Sequence, residues 1–122
     1  MRICIIESPF KGATPEQEAQ HKRYLNLCIR DSVMRGETPY ASHRMLTEAL
    51  DDADPAEREL GIAAGFDMRI ALLEAGAVTV IYDDYGISDG MRRGIRHAEN
   101  IGCRVETRTL WTPETRPVWA AR

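Results

Sequence analysis

The sequence predicts an α/β fold, a three-layer Rossmann-like or flavodoxin-like sandwich on a mainly parallel sheet of about four to five strands. Three observations point there. Two short runs, RICIIE near the start and AVTVIY ending at Tyr82, are apolar without alternation, as strands covered on both faces are. The segments between strands open with helix-capping signals. Strand and helix then alternate along the whole chain, which calls for crossovers between parallel strands rather than hairpins.

The first strand runs from Arg2 to Glu7 and ends in the loop SPFKG. Thr14 caps the first helix, Pro15 takes its first position, and Gln17 completes a capping box. Leu25, Cys28, Ile29, Ser32 and Val33 share one face of it, and Gly36 ends it. A short strand near Thr38 to Ala41 precedes an irregular stretch through Leu50. Asp54, Pro55 and Glu57 open a second helix that reaches about Glu74, with Leu60, Ala64, Met68, Ala71, Leu72 and Ala75 at helical spacing. The strand AVTVIY follows, then the turn DDYG, then a helix from Ser88 to Asn100 with Met91, Ile95 and Ala98 inward. Cys103 to Thr109 alternates apolar and charged residues and reads as an edge strand. Residues 1–110 thus form one domain. The tail WTPETRPVWAAR, 111–122, either packs across the surface, meets a partner subunit or is a mobile end.

A chain of 122 residues can bury a core without disulfide or metal staples. A formal charge of −3, with acids and bases interspersed, argues against general affinity for nucleic acid or anionic membrane. Cys4, Cys28 and Cys103 are odd in number, lack CxxC spacing and lie in apolar segments, so they read as buried, reduced thiols of a cytoplasmic protein. The apolar run near the N-terminus is too short for a signal peptide, and no stretch is long enough to cross a bilayer.

In an open parallel sheet, ligands bind beyond the carboxyl ends of the strands. That rule brings together Glu7, Ser8, Pro9, Phe10, Lys11 and Gly12 after the first strand, His43 with its neighbours Ser42 and Arg44 after the second, and Asp83, Gly86, Ile87 and Ser88 after the third. Gly90 and Met91 open the helix beyond. The free amides and dipole of that helix favour a phosphate or carboxylate, although Ser88 also serves as a plain N-cap. Glu7 reads either as a carboxylate for chemistry or as a solvated or salt-bridged acid, and His43 as a surface residue or a ligand contact. Asp83 and Asp84 lack a histidine and read as a turn rather than a metal site. Gly61 and Gly65, four apart beside Ala64, suit close packing, a neighbouring subunit included. No cofactor is implied.

The SPF loop, the DDADPAERELGIAAG helix, the AVTVIY strand and the GISDGM opening of the last helix together resemble a phage and bacterial group of small proteins in the nucleoside 2-deoxyribosyltransferase-like superfamily, over residues 2–110. The resemblance implies a Rossmann-like fold, a homodimer or larger assembly, and cleavage or exchange of the N-glycosidic bond of deoxynucleosides or deoxynucleotides. It places substrate contacts at Ser8, Pro9 and Ser88, and a proton-transfer or positioning aspartate at or beside Asp67. The attacking glutamate of such enzymes falls on Gly94, where this chain has no carboxylate, and Asp89 and Glu99 are each more than a helical turn away. The expectation is therefore a nucleotide- or nucleoside-binding protein without the usual nucleophile. The alternatives are an N-glycosidic enzyme that uses Glu7 or Asp67, and a structural or partner-docking protein.

Overall fold

The computed structural model describes residues 1–120; Ala121 and Arg122, the end of the expected tail, lie outside the described residues. The elements are β1 (Ile3–Glu7), α1 (Pro15–Met34), β2 (Thr38–Tyr40), α2 (Ser42–Ala49), α3 (Pro55–Leu73), β3 (Val78–Tyr82), α4 (Asp89–Asn100), β4 (Val105–Arg108) and a 3₁₀ turn at Val118–Ala120. The four strands form one parallel sheet in the order β2-β1-β3-β4. The fold is thus α/β, with β4 at an edge.

The expected helix starts are all present. Thr14 Oγ1 accepts from the Gln17 amide and Gln17 reaches back to the Ala13 amide, Asp54 accepts from the Ala56 amide, and Ser88 Oγ accepts from the Met91 amide. Alternate residues of the central strands face opposite layers. Cys4, Ile6, Val78, Val80 and Tyr82 pack with Tyr24, Leu25 and Cys28 of α1. The other face carries Thr79, which meets Cys103, and Glu7, which meets α3 and α4. All three cysteines are free and buried.

Three expectations are corrected. Residues 42–49 form α2, not an irregular stretch. Val33 is exposed on α1. On α3 the stripe Leu60, Ala64, Met68 and Ala71 faces solvent, and the face turned inward holds Gly65 and Arg69. The cause lies in what α3 covers: it lies along α2, where an added Cβ at Gly65 would come 2.9 Å from Ser42 Oγ and one at Gly61 3.1 Å from Leu50 Cδ1. The small residues therefore admit a helix of the same chain.

The described tail packs across the surface. Asp84 is no solvated turn residue: it is buried, takes the Tyr24 hydroxyl at 2.5 Å and accepts from the amides of Leu110 and Trp111. Trp111 lies against Tyr24 and Trp119, and Arg116 sits over Tyr85 and Trp111 while donating to the Asp84 carbonyl. Elsewhere, Glu37 just before β2 accepts from both Arg2 and Arg108, and Arg2 also pairs with Glu106, joining β1 and β4 to the start of β2.

Candidate functional site

The chain leaves β1 toward β2 on one side, and the α2–α3 connection brings it back across to β3 on the other. The crevice between the carboxyl ends of β1 and β3 is the topological switch point of the sheet. A cleft of about 590 Å³ opens there, within the range of small-molecule sites. Its floor is the end of β1 and its walls are α2, the first half of α3 and the start of α4.

At the floor, Glu7 accepts from Arg69 Nη2 at 2.5 Å, while Arg69 Nη1 donates to the Gly94 carbonyl and meets His97 Nδ1. The arginine is held in place from behind, since His97 stacks on Phe66 with the ring centroids 3.9 Å apart. Burial pushes the Glu7 carboxyl up to about 7, against the opposing pull of Arg69. The carboxylate rests on Gly94. A Cβ at that position would lie 2.5 Å from Glu7 Oε2, so the glycine is what lets α4 carry this acid against its side.

Beside it, Ser8 Oγ and His43 Nε2 are 2.9 Å apart. Ser8 is buried, and Phe10 meets the His43 ring edge-on. Loss of solvent, aided by Arg44, lowers His43 to about 4, so the ring is neutral near pH 7. At the mouth, Ser88 caps α4, and the amides of Asp89 and Gly90 precede its intrahelical bonds.

The lining carries four basic and four acidic side chains: Lys11, Arg58, Arg69 and Arg93 against Glu7, Asp52, Glu57 and Asp89. Each base has an acidic partner, Lys11 and Arg58 with Asp52, Arg69 with Glu7, and Arg93 with Glu59. A cleft balanced in this way suits a neutral or singly charged ligand better than a polyphosphate.

Of the expected residues, Glu7, Ser8, Phe10, Lys11, His43, Ser88, Gly90 and Met91 line the cleft. The others lie elsewhere. Pro9 is buried, and Gly12 packs on the start of α1, where a Cβ would come 2.6 Å from Gln17 Cβ. Asp83 accepts from Thr109 Oγ1, Gly86 holds φ +78° in its turn, and Ile87 is exposed. Asp67 is exposed on α3 outside the cleft lining, about 200° around the helix from Arg69. Sequence reasoning missed Arg69, Phe66 and Arg58. The signal available was Gly61, Gly65 and Arg69 at successive i,i+4 positions, one face of small residues ending in a cation.

Among the described residues no group of His, Cys, Asp and Glu is placed to hold a metal ion, and no helix is long and apolar enough to cross a membrane. Residues 2–108 match the family described as a domain of unknown function, DUF7768. No curated protein and no solved structure matches the chain.

Proposed function

The chain belongs to the DUF7768 family, and from that premise we propose that it binds a nucleoside or a nucleotide of low charge in the cleft between β1 and β3. The observation that carries the reading is the cleft itself: switch-point position, about 590 Å³, Phe10 and Phe66 as aromatic surfaces, and a charge-balanced lining. The first-turn amides of α4 offer one place for a single phosphate. The resemblance to the nucleoside 2-deoxyribosyltransferase-like superfamily supports the same ligand class. Thermal-shift and calorimetric titration with nucleosides, deoxynucleosides, their mono- and triphosphates, cyclic nucleotides and ADP-ribose derivatives tests it. Nucleosides and monophosphates are expected to bind more tightly than triphosphates. A folded protein that responds to none of them overturns the reading.

One observation favours a second reading, an N-glycosidic-bond enzyme. Glu7 holds its carboxylate against Gly94, the position at which the resemblance puts the attacking glutamate, so β1 supplies an acid where α4 has none. In that chemistry the carboxylate attacks the anomeric carbon, the base departs with a proton, and water or a second base releases the sugar. Free base released from a deoxynucleoside, and lost in Glu7→Gln, supports it. Ligand recovered unchanged from the native protein leaves the binding reading alone.

A homodimer belongs to the same proposal. The two glycines and two tryptophans that first suggested it are engaged within the chain, and its support now is the exposed stripe of α3, on which Leu60 is 66% and Met68 39% exposed.

A further inference from the structure

We propose that Ser8 is a nucleophile activated by His43, and that the cleft turns over a small uncharged carboxylic ester or similar acyl compound. This goes beyond the nucleoside reading and does not rest on it. Three parts of an acyl-transfer site share the cleft. Ser8 Oγ stands at the end of β1, where the chain leaves the sheet for the loop, and it lines the cleft floor. His43 Nε2 is 2.9 Å away, within reach of the hydroxyl proton. The start of α4, with the amides of Asp89 and Gly90 ahead of the first intrahelical bond from the Arg92 amide to the Ser88 carbonyl, forms one wall.

Phe10 meets the His43 ring in a T-shaped contact with the centroids 6.1 Å apart, and among the described residues no acid hydrogen-bonds the imidazole. Its neutral state near pH 7 leaves Nε2 able to accept, provided the ring proton sits on Nδ1. In the first step Ser8 Oγ bonds to the acyl carbon as Nε2 takes the hydroxyl proton. The α4 amides are the donors on hand for the developing oxyanion. The C–O bond to the alcohol then breaks and the imidazolium returns the proton to the leaving oxygen. Water, deprotonated by the same nitrogen, cleaves the acyl-serine to free acid and restores both side chains, with no oxidant, metal or co-reactant required. The balanced charge of the lining matches an uncharged substrate.

The experiment uses an alkyl fluorophosphonate on the full chain. Attack by Ser8 forms an O–P bond and expels fluoride, and the adduct is read by intact mass and peptide mapping. The expected result is one adduct, on Ser8. It is absent from Ser8→Ala and slowed about 100-fold or more in His43→Gln. Thermal melts confirm that each variant is folded. Failure of the folded native protein to label, labelling at another serine, or labelling by His43→Gln at the native rate overturns the proposal. Nucleoside titration of the same samples keeps its failure distinct from that of the binding reading.

Discussion

Folding moves a proton's worth of affinity from His43 to Glu7, and single variants of either residue expose it. Glu7 has its carboxyl raised from 4.5 to about 7 by burial, so its contribution to stability is fully present below pH 4.5 and is lost as pH climbs through 7. His43 is lowered from 6.5 to about 4, so its contribution is present above pH 6.5 and is lost as pH falls through 4. Between pH 4.5 and 6.5 the two slopes oppose each other in the native protein. Glu7→Gln removes the falling slope, so its stability relative to native rises by about 1.4 kcal/mol per pH unit, or about 3 kcal/mol between pH 4.5 and 7. His43→Gln removes the rising slope, and its stability relative to native falls by a similar amount between pH 4 and 6.5. The double variant is expected to run parallel to native between pH 4.5 and 6.5. Urea unfolding followed by Trp111 and Trp119 fluorescence, at half-unit pH steps, measures all four proteins. A Glu7→Gln difference that stays flat from pH 4.5 to 7 refutes the reasoning, because Glu7 would then ionise as it does in the unfolded chain.

Three further outcomes are expected. Gly94→Ala should destabilise the native protein by about 1–3 kcal/mol, because the new methyl displaces the Glu7 carboxylate; in a Glu7→Ala background the same change should be neutral or stabilising by up to about 1 kcal/mol. Urea melts of the four proteins check this, and the same sign in both backgrounds would count against it. Asp84→Ala leaves the Tyr24 hydroxyl and the Leu110 and Trp111 amides without their acceptor and should cost at least about 2 kcal/mol. It should also shift tryptophan emission to the red and speed proteolysis after residue 110; unchanged emission would contradict a role for Asp84 in holding residues 110 and 111 against α1. Light scattering should give a dimer mass at micromolar concentration and a monomer mass for Leu60→Glu with Met68→Glu, whereas a native monomer removes the assembly proposal.

The strands and the three longer helices were legible because each carries its own local signal. Thr14, Asp54 and Ser88 cap as their residue types suggest, and the unbroken apolar run of β3 is buried throughout. The α2 helix sends no such signal: its N-cap is Ala41, it makes no side-chain cap, and none of its eight residues is fully buried. The orientation of α3 misled for a related reason. Periodicity finds the apolar face, but the inward face of this helix meets α2 and the cleft floor, so glycine and arginine lie inside while Leu60 and Met68 lie outside. Asp84 was hidden for want of a local partner, since Tyr24 and Leu110 are remote in sequence. In the cleft, loop position relative to the strand ends sufficed to find Glu7, Ser8 and His43. Arg69 depended on knowing which way its helix turned.

The contact between Glu7 and Gly94 also carries an evolutionary consequence. One small volume between β1 and α4 holds a single carboxylate, and it is filled from the strand. On this backbone a lineage can supply that acid from position 7 or from position 94, but not from both at once. The passage between the two arrangements must go through an intermediate with a small residue at each. Aligned members of the family should therefore show the two positions as an exclusive pair: a long acid at 7 accompanied by glycine at 94, or a side chain at 94 accompanied by a short residue at 7.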